Sequence, residues 1–286
     1  VWLLGGNAVT SLPNFLSAWR DVCDERHMYF PAIGSREHRY IAKYLRGARV
    51  RYPHVVRRST PLTLKLIRMV LADVGVTSAR CYDTCSIAVL AFCARLLVAH
   101  AAMMRTCAHE AGCLLADVSQ PAHGAGRFLL LRVGFTVRSR KIKLRPARSC
   151  ILPIVKDVLS CGFALSILIR RAHPSSAVGS HVLFPRSRLV RSPLPWLDMR
   201  SAVRAALAAH LAATGRPVAS IDGRSLRAGG ATDWFSARAP RWWIKTQGGW
   251  LSDAVDIYNR PTDGARFQSA PARRVLRVAY GAARGR

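Results

Sequence analysis

A nearly uninterrupted apolar run, SIAVLAFCARLLVAHAAMM at residues 86–104, is the strongest constraint on the fold of this chain. Its length approaches the roughly 20 residues that an α-helix needs to cross a bilayer. Arg95 and His100 lie inside the run, however, and ionisable side chains are costly within a membrane. We therefore expect a helix buried in the core of a globular domain rather than a membrane span.

The periodicity of apolar residues on either side of this run predicts the fold class. Helical spacing recurs in residues 12–22, 36–49, 62–72, 155–171 and 197–213, and three short helices are expected from residue 227 onward. Residues 113–119, 127–140 and 150–158 have β-rich composition instead, with a basic turn at 141–149 before the last of them. We predict a mainly α fold with a small antiparallel β-sheet, an α+β class.

Turn and cap residues divide the chain. Pro53 and Pro61 bracket a short basic stretch with the composition of a linker, and TPLT at residues 60–63 is typical of a helix start. Gly75 closes the helix that follows. We predict a short helical domain over residues 1–58, a larger domain over 59–265, and a basic tail over 266–286.

Positive charge dominates the composition. Lys and Arg number 44 against 15 Asp and Glu, which gives a formal net charge of +29. Such an excess repels itself unless an anion neutralises it, so nucleic acid is the leading partner and an acidic membrane surface the lesser one. Carboxylates are sparse, the glutamates being Glu25, Glu37 and Glu110 alone, which argues against a nuclease with two metal ions.

The cysteines leave two interpretations open. Cys107, His109 and Cys113 offer zinc-ligating atoms, but their spacing matches no standard zinc finger. Small apolar side chains in a helical core are the favoured interpretation. No secretory segment precedes the eight cysteines, so a reduced intracellular setting is expected. We expect neither a metal nor another cofactor.

The most specific signal is the segment RSLRAGGATDWFSARAPRWWIKTQGGWLSDAVDIYNR at residues 224–260. It resembles the C-terminal signature of the tyrosine recombinases, the phage-integrase family, and most closely the subgroup of DIRS-like retrotransposons. That subgroup has HSLRAGGATD, then GxWxSDA, then a tyrosine; here Tyr258 falls eight residues after Trp250. The resemblance extends weakly upstream to about residue 55. It implies a tyrosine recombinase catalytic domain preceded by a short helical core-binding domain.

The resemblance also implies a role for each matched residue. Arg105 and Arg227 would clamp the non-bridging oxygens of the scissile phosphate, which arginine forks bind bidentately at any working pH. Tyr258 would be the nucleophile that forms a 3′-phosphotyrosyl bond. Trp250 stands where the family has His or Trp and would donate its indole N–H to the phosphate.

The remaining catalytic positions are less regular. The β-rich segments on either side of the basic turn are expected to form a basic hairpin. This hairpin should supply a lysine as general acid for the 5′-hydroxyl leaving group, either Lys141, which we favour, or Lys143. Arg224 occupies a position where the family usually has His; it can donate to phosphate but cannot act as a base near neutral pH. Ala108 stands where the family often has an acidic residue, with Glu110 the nearest carboxylate.

Other basic residues are expected to grip the DNA backbone without reading its sequence. These are Lys43, Arg46, Arg49, Arg51, Arg57, Arg58, Arg138, Arg140, Lys143 and Arg145. The leading hypothesis is a metal-free and ATP-free site-specific recombinase of double-stranded DNA, acting as a homotetramer on two sites in the nucleus. The alternatives are a catalytically degenerate DNA-binding protein, and a basic RNA-associated scaffold, disfavoured because no aromatic RNA-binding strand motif occurs.

Overall fold

The structure is a computed structural model that divides into two compact units, residues 1–58 and 59–286. It describes residues 20, 23, 26–29, 31, 35–51, 59–104, 113–119, 128–133, 148–173, 181–185, 196–250 and 253–258. Within these ranges the structure describes only the backbone of residues 45–51, 133, 148, 196–197 and 257–258.

The first unit contains helix α1, Arg36–Arg51, where the sequence predicts a helix over 36–49. Glu37 lies in its first turn, where a negative charge favours the positive end of the helix dipole. Much of α1 faces solvent, including the rings of Tyr40 and Tyr44. The helix predicted over 12–22 lies, apart from residue 20, outside the described residues.

The second unit is built mainly of helices. The α-helices among its described residues are α2 (Leu64–Asp73), α3 (Cys81–Thr84), α4 (Ile87–Ala101), α5 (Cys161–Ala172), α6 (Trp196–Ala213), α7 (Ser225–Ser236) and α8 (Arg241–Gly248). Short 3₁₀ helices cover Leu115–Asp117, Val218–Ser220 and Asp253–Tyr258. Gly75 and Gly215 follow α2 and α6 with positive φ, a conformation that glycine adopts without strain.

Helix α4 occupies the centre of the core, as its apolar sequence predicts. Ser86 caps its start by accepting a hydrogen bond from Val89 N–H at 3.3 Å. The helix packs against α5 on one side and α7 on the other, and its residues Arg95 and His100 are buried. No helix in the described part of the chain is both long and apolar enough to cross a bilayer.

The described sheet has three antiparallel strands in the order β1 (Val118–Ser119), β2 (Phe128–Val133) and β3 (Arg148–Pro153). The register pairs Leu130 with Ile151, and alternate residues of β2 and β3 face the core. The prediction of a mainly helical fold with a small antiparallel sheet is confirmed. The basic segment between β2 and β3, residues 134–147, lies outside the described residues.

One predicted helix begins later than its periodicity suggests. Apolar spacing predicts a helix from residue 155, but α5 begins at Cys161. The hydroxyl of Ser160 caps α5 by accepting from Phe163 N–H, and it also accepts from Val155 N–H and donates to Pro153 O. These bonds hold residues 155–160 as a loop between β3 and α5, so the cap residue overrides the apolar pattern.

Candidate functional site

Helix α7, which carries most of the RSLRAGG segment, is the most deeply buried part of the site. Every residue from Ser225 to Trp234 is buried. A Cβ added to Gly229 would lie 1.9 Å from Leu62 O, and one added to Gly230 would lie 2.1 Å from His100 O. The two glycines therefore let the backbone of α7 touch the segment before α2 and the C-terminal end of α4.

Asp233 connects α7 to the same two elements through its side chain. Its Oδ2 accepts a hydrogen bond from Leu64 N–H at 2.7 Å and lies 2.9 Å from His100 Nε2. Leu64 is the first residue of α2, and the N-cap residue Thr63 makes no capping bond of its own. A carboxylate at this helix start satisfies a buried N–H that would otherwise have no hydrogen-bond partner, and it complements the helix dipole.

Arg227 is held inside the protein rather than on its surface, with 4% of the residue exposed. Its Nη1 donates to Met103 O at 2.7 Å and to Gly248 O at 2.8 Å. Its guanidinium carbon lies 3.7 Å from the ring centroid of Trp250, a cation–π arrangement. Two carbonyl oxygens and an aromatic face therefore fix the orientation of a buried cation.

The turn after α8 brings Trp250 to this guanidinium. Gly249 ends α8 with a φ of +65°, and Trp250 N–H donates back to Lys245 O at 2.9 Å. A Cβ on Gly248 would lie 1.7 Å from the Trp250 ring, so only glycine leaves room for the ring there. The sequence GGW is thus required by the turn that places Trp250 against Arg227.

The 3₁₀ helix Asp253–Tyr258 packs against α7, and charged side chains join it to α8. Arg241 pairs with Asp256 and with Asp253, and Lys245 Nζ lies 3.1 Å from Asp253 Oδ1. The hydrogen bond from Lys245 and the charge of Arg241 hold the pKa of Asp253 below its ordinary value. These ion pairs link the 3₁₀ helix that ends at Tyr258 to α8.

The structure brings together some of the predicted catalytic residues. Arg227 and Trp250 are in contact, and Tyr258 ends a helix that packs against α7, although its side chain is outside the description. Arg224 precedes α7 and its side chain is 73% exposed, near Asp222. Arg105, Lys141 and Lys143 lie outside the described residues.

The predicted DNA-contacting residues are only partly described. Lys43 is exposed on α1, and Arg46, Arg49 and Arg51 belong to the same helix, with side chains outside the description. The others lie outside the described residues: Arg57, Arg58, Arg138, Arg140, Lys143 and Arg145.

The possible zinc ligands are likewise only partly described. Cys113 is buried in the core, whereas Cys107 and His109 lie outside the description. Within the described ranges, no group of three His, Cys, Asp or Glu side chains is placed to hold a metal ion.

Sequence reasoning missed two side chains that build the site. Asp233 lies within the RSLRAGGATD motif, but nothing in its spacing indicated that it would cap α2. Gln247, which precedes GGW, is 3% exposed and bonds to the backbone of β3. A glutamine beside a glycine turn carries no sequence signal for such a contact.

Comparisons with known proteins add no family assignment. No protein-family model matches the chain, and no curated protein matches its sequence. The function of the site is therefore inferred from its geometry and from the residues of the motif.

Proposed function

We propose that this chain is a tyrosine recombinase, an enzyme that cuts and rejoins double-stranded DNA through a 3′-phosphotyrosyl intermediate, without metal or ATP. The observation that carries the proposal is the buried Arg227, whose guanidinium is oriented by Met103 O, Gly248 O and the Trp250 ring. In this proposal residues 59–265 form the recombinase catalytic domain, and residues 1–58 belong to a helical core-binding domain.

The proposed reaction transfers a phosphoryl ester between two oxygens. The phenol oxygen of Tyr258 attacks the scissile phosphorus while its proton passes to solvent water, and the bond from phosphorus to the 5′-oxygen breaks. Lys141 or Lys143 gives a proton to that oxygen, so a 5′-hydroxyl departs. The phosphotyrosyl ester keeps the energy of the broken bond, and attack by a 5′-hydroxyl rejoins a strand and restores the tyrosine.

Arg227 is suited to the charge that develops in this reaction. The pentavalent state adds negative charge to the non-bridging oxygens of the phosphate, and preorganised donors stabilise such charge strongly. The carbonyl oxygens of Met103 and Gly248 fix Nη1 before any DNA arrives, so little reorganisation is needed when the phosphate binds. Arg105 and Arg224 are proposed to complete the clamp.

A second function, DNA binding without catalysis, is favoured by one observation. Arg224 stands where the family usually has His, and its exposed guanidinium pairs with Asp222. An arginine cannot take the tyrosine proton near neutral pH. In either function the partner is duplex DNA, and a homotetramer on two sites and a nuclear location belong to the recombinase proposal.

A suicide substrate separates these functions. It is a nicked duplex whose cleaved strand diffuses away, so that the covalent intermediate accumulates and labelled DNA remains on the protein in a denaturing gel. We expect a covalent band with the wild-type chain and none with Tyr258→Phe, whose DNA affinity should stay within about twofold because the hydroxyl alone is removed. Salt-sensitive binding without a band would refute the enzyme and leave the DNA-binding protein.

Arg227→Lys provides the matched test of the clamp. A lysine keeps the charge but loses the planar fork that Met103, Gly248 and Trp250 orient. We expect the rate of covalent complex formation to fall by about 10²-fold or more, the typical loss on removing one oriented donor. An unchanged rate would contradict the assignment of Arg227.

A further inference from the structure

The side chain of Gln247 bridges two parts of the second unit that are distant in sequence. Its Oε1 accepts a hydrogen bond from Ile151 N–H at 3.1 Å, and its Nε2 donates to Ile151 O at 3.0 Å. The same Nε2 also lies 3.4 Å from Ala101 O, at the end of α4. The amide is buried, so each of these bonds is costly to lose.

The bonds to Ile151 are those that a neighbouring strand would make. In the described sheet β3 pairs with β2 along one edge, where Ile151 lies opposite Leu130. The N–H and C=O of a strand residue point to the same edge, so those of Ile151, which bond Gln247, point away from β2. The amide of Gln247 satisfies both backbone groups of Ile151 on the other edge, which fixes α8 relative to β3 in both directions along the strand. Cys150 Sγ adds a contact of 3.5 Å to Gln247 O.

Gln247 is also directly joined to the Arg227 cluster. The next residue, Gly248, supplies the carbonyl oxygen that accepts from Arg227 Nη1 at 2.8 Å. The turn through Gly249 then carries Trp250 to the guanidinium. A shift of the Gln247 backbone against β3 therefore moves an acceptor of Arg227 and the ring that covers it.

We propose that Gln247 is a positioning residue that holds the Arg227–Trp250 cluster in register with β3. The catalytic consequence of this inference rests on the proposed function, in which Lys141 or Lys143 is the general acid. Both lysines belong to the basic segment 134–147, which directly precedes β3 in the sequence. Gln247 then sets the distance between the phosphate clamp and the strand that leads out of the lysine segment. It touches neither DNA nor the reacting atoms in this role.

The test compares Gln247→Met with Tyr82→Phe. Methionine keeps the length of the side chain but loses the amide bonds to Ile151 and Ala101. Tyr82→Phe is the control, because it removes a buried hydrogen bond, from the Tyr82 hydroxyl to Val158 O, in the same unit. Two readouts are needed: the ¹H–¹⁵N resonance of the Trp250 indole, assigned with Trp250→Phe, and the single-turnover rate of covalent complex formation at saturating DNA.

We expect Gln247→Met to shift the Trp250 indole resonance and to slow cleavage by about tenfold to 10²-fold, as displacements near 1 Å do, with DNA affinity within about twofold. Tyr82→Phe should lower Tm with neither effect. An unmoved indole resonance, or an unchanged cleavage rate in an active enzyme, would overturn the inference. If the wild-type chain forms no covalent complex, the proposed function fails, while the indole resonance still decides the positioning.

Discussion

Replacing Gly230 with alanine gives the sharpest test of how α7 positions Arg227. The new Cβ would lie 2.1 Å from His100 O and 2.8 Å from Met103 Cγ, both much shorter than an ordinary van der Waals contact. Normal contact with His100 O begins near 3.4 Å, so α7 and the end of α4 must separate by about 1.3 Å. That movement would stretch the 2.7 Å bond from Arg227 to Met103 O beyond hydrogen-bond range.

The two effects of Gly230→Ala differ in size. Overpacking costs about 1–3 kcal/mol, and the gain of about 1 kcal/mol from alanine in a helix offsets part of it. The net loss of unfolding free energy is therefore about 0–2 kcal/mol, measurable by urea denaturation. Because Arg227 moves by about 1 Å, the single-turnover cleavage rate should fall by about 10²-fold.

Gly75→Ala is the matched control. Gly75 has a φ of +81° and open space around its Cβ position, so alanine there costs about 1–2 kcal/mol through backbone conformation alone. It should reduce stability by a similar amount and leave the cleavage rate of the folded enzyme unchanged. Equal rates in the two variants would refute the reasoning that the close approach at Gly230 sets the position of Arg227.

Two further predictions concern stability and thiol reactivity. Asp233→Ala removes the cap of α2 and the partner of His100, so the unfolding free energy measured in urea should fall by about 2–4 kcal/mol; a loss below about 0.5 kcal/mol would contradict the capping role. Hydrogen bonds from Ser78 lower the pKa of Cys81 to about 7, whereas burial raises the pKa of Cys161 to about 12. Alkylation by iodoacetamide, followed by peptide mass spectrometry, should therefore modify Cys81 before Cys161, with a rate at Cys81 that rises as the pH passes 7 and its thiolate forms. Faster labelling of Cys161 would contradict this order.

The helices of the second unit were largely predictable because their signals are local. The apolar run of α4, the cap at Ser86 and the glycines after α2 and α6 all act within about one turn of the backbone. The antiparallel pairing of β2 and β3 follows from two β-rich segments joined by a basic turn. The predicted start of α5, at residue 155, lies before its observed start at Cys161, because the apolar spacing continues through residues 155–160. The capping role of Ser160 depends on bonds to Val155 N–H and Pro153 O, which the spacing does not reveal.

The sequence by itself determined the periodicity of the helices, the position of the sheet and the spacing of the residues that make RSLRAGG and GGW recognisable. Only the tertiary structure decided that Asp233 caps α2 from 169 residues away and that Gln247 completes the edge of β3 from 96 residues away. A helix or turn depends on residues within a few positions of one another. The long-range contacts of Asp233 and Gln247 depend on how the buried faces of distant elements pack, so no local pattern of residues can predict which polar atoms will meet.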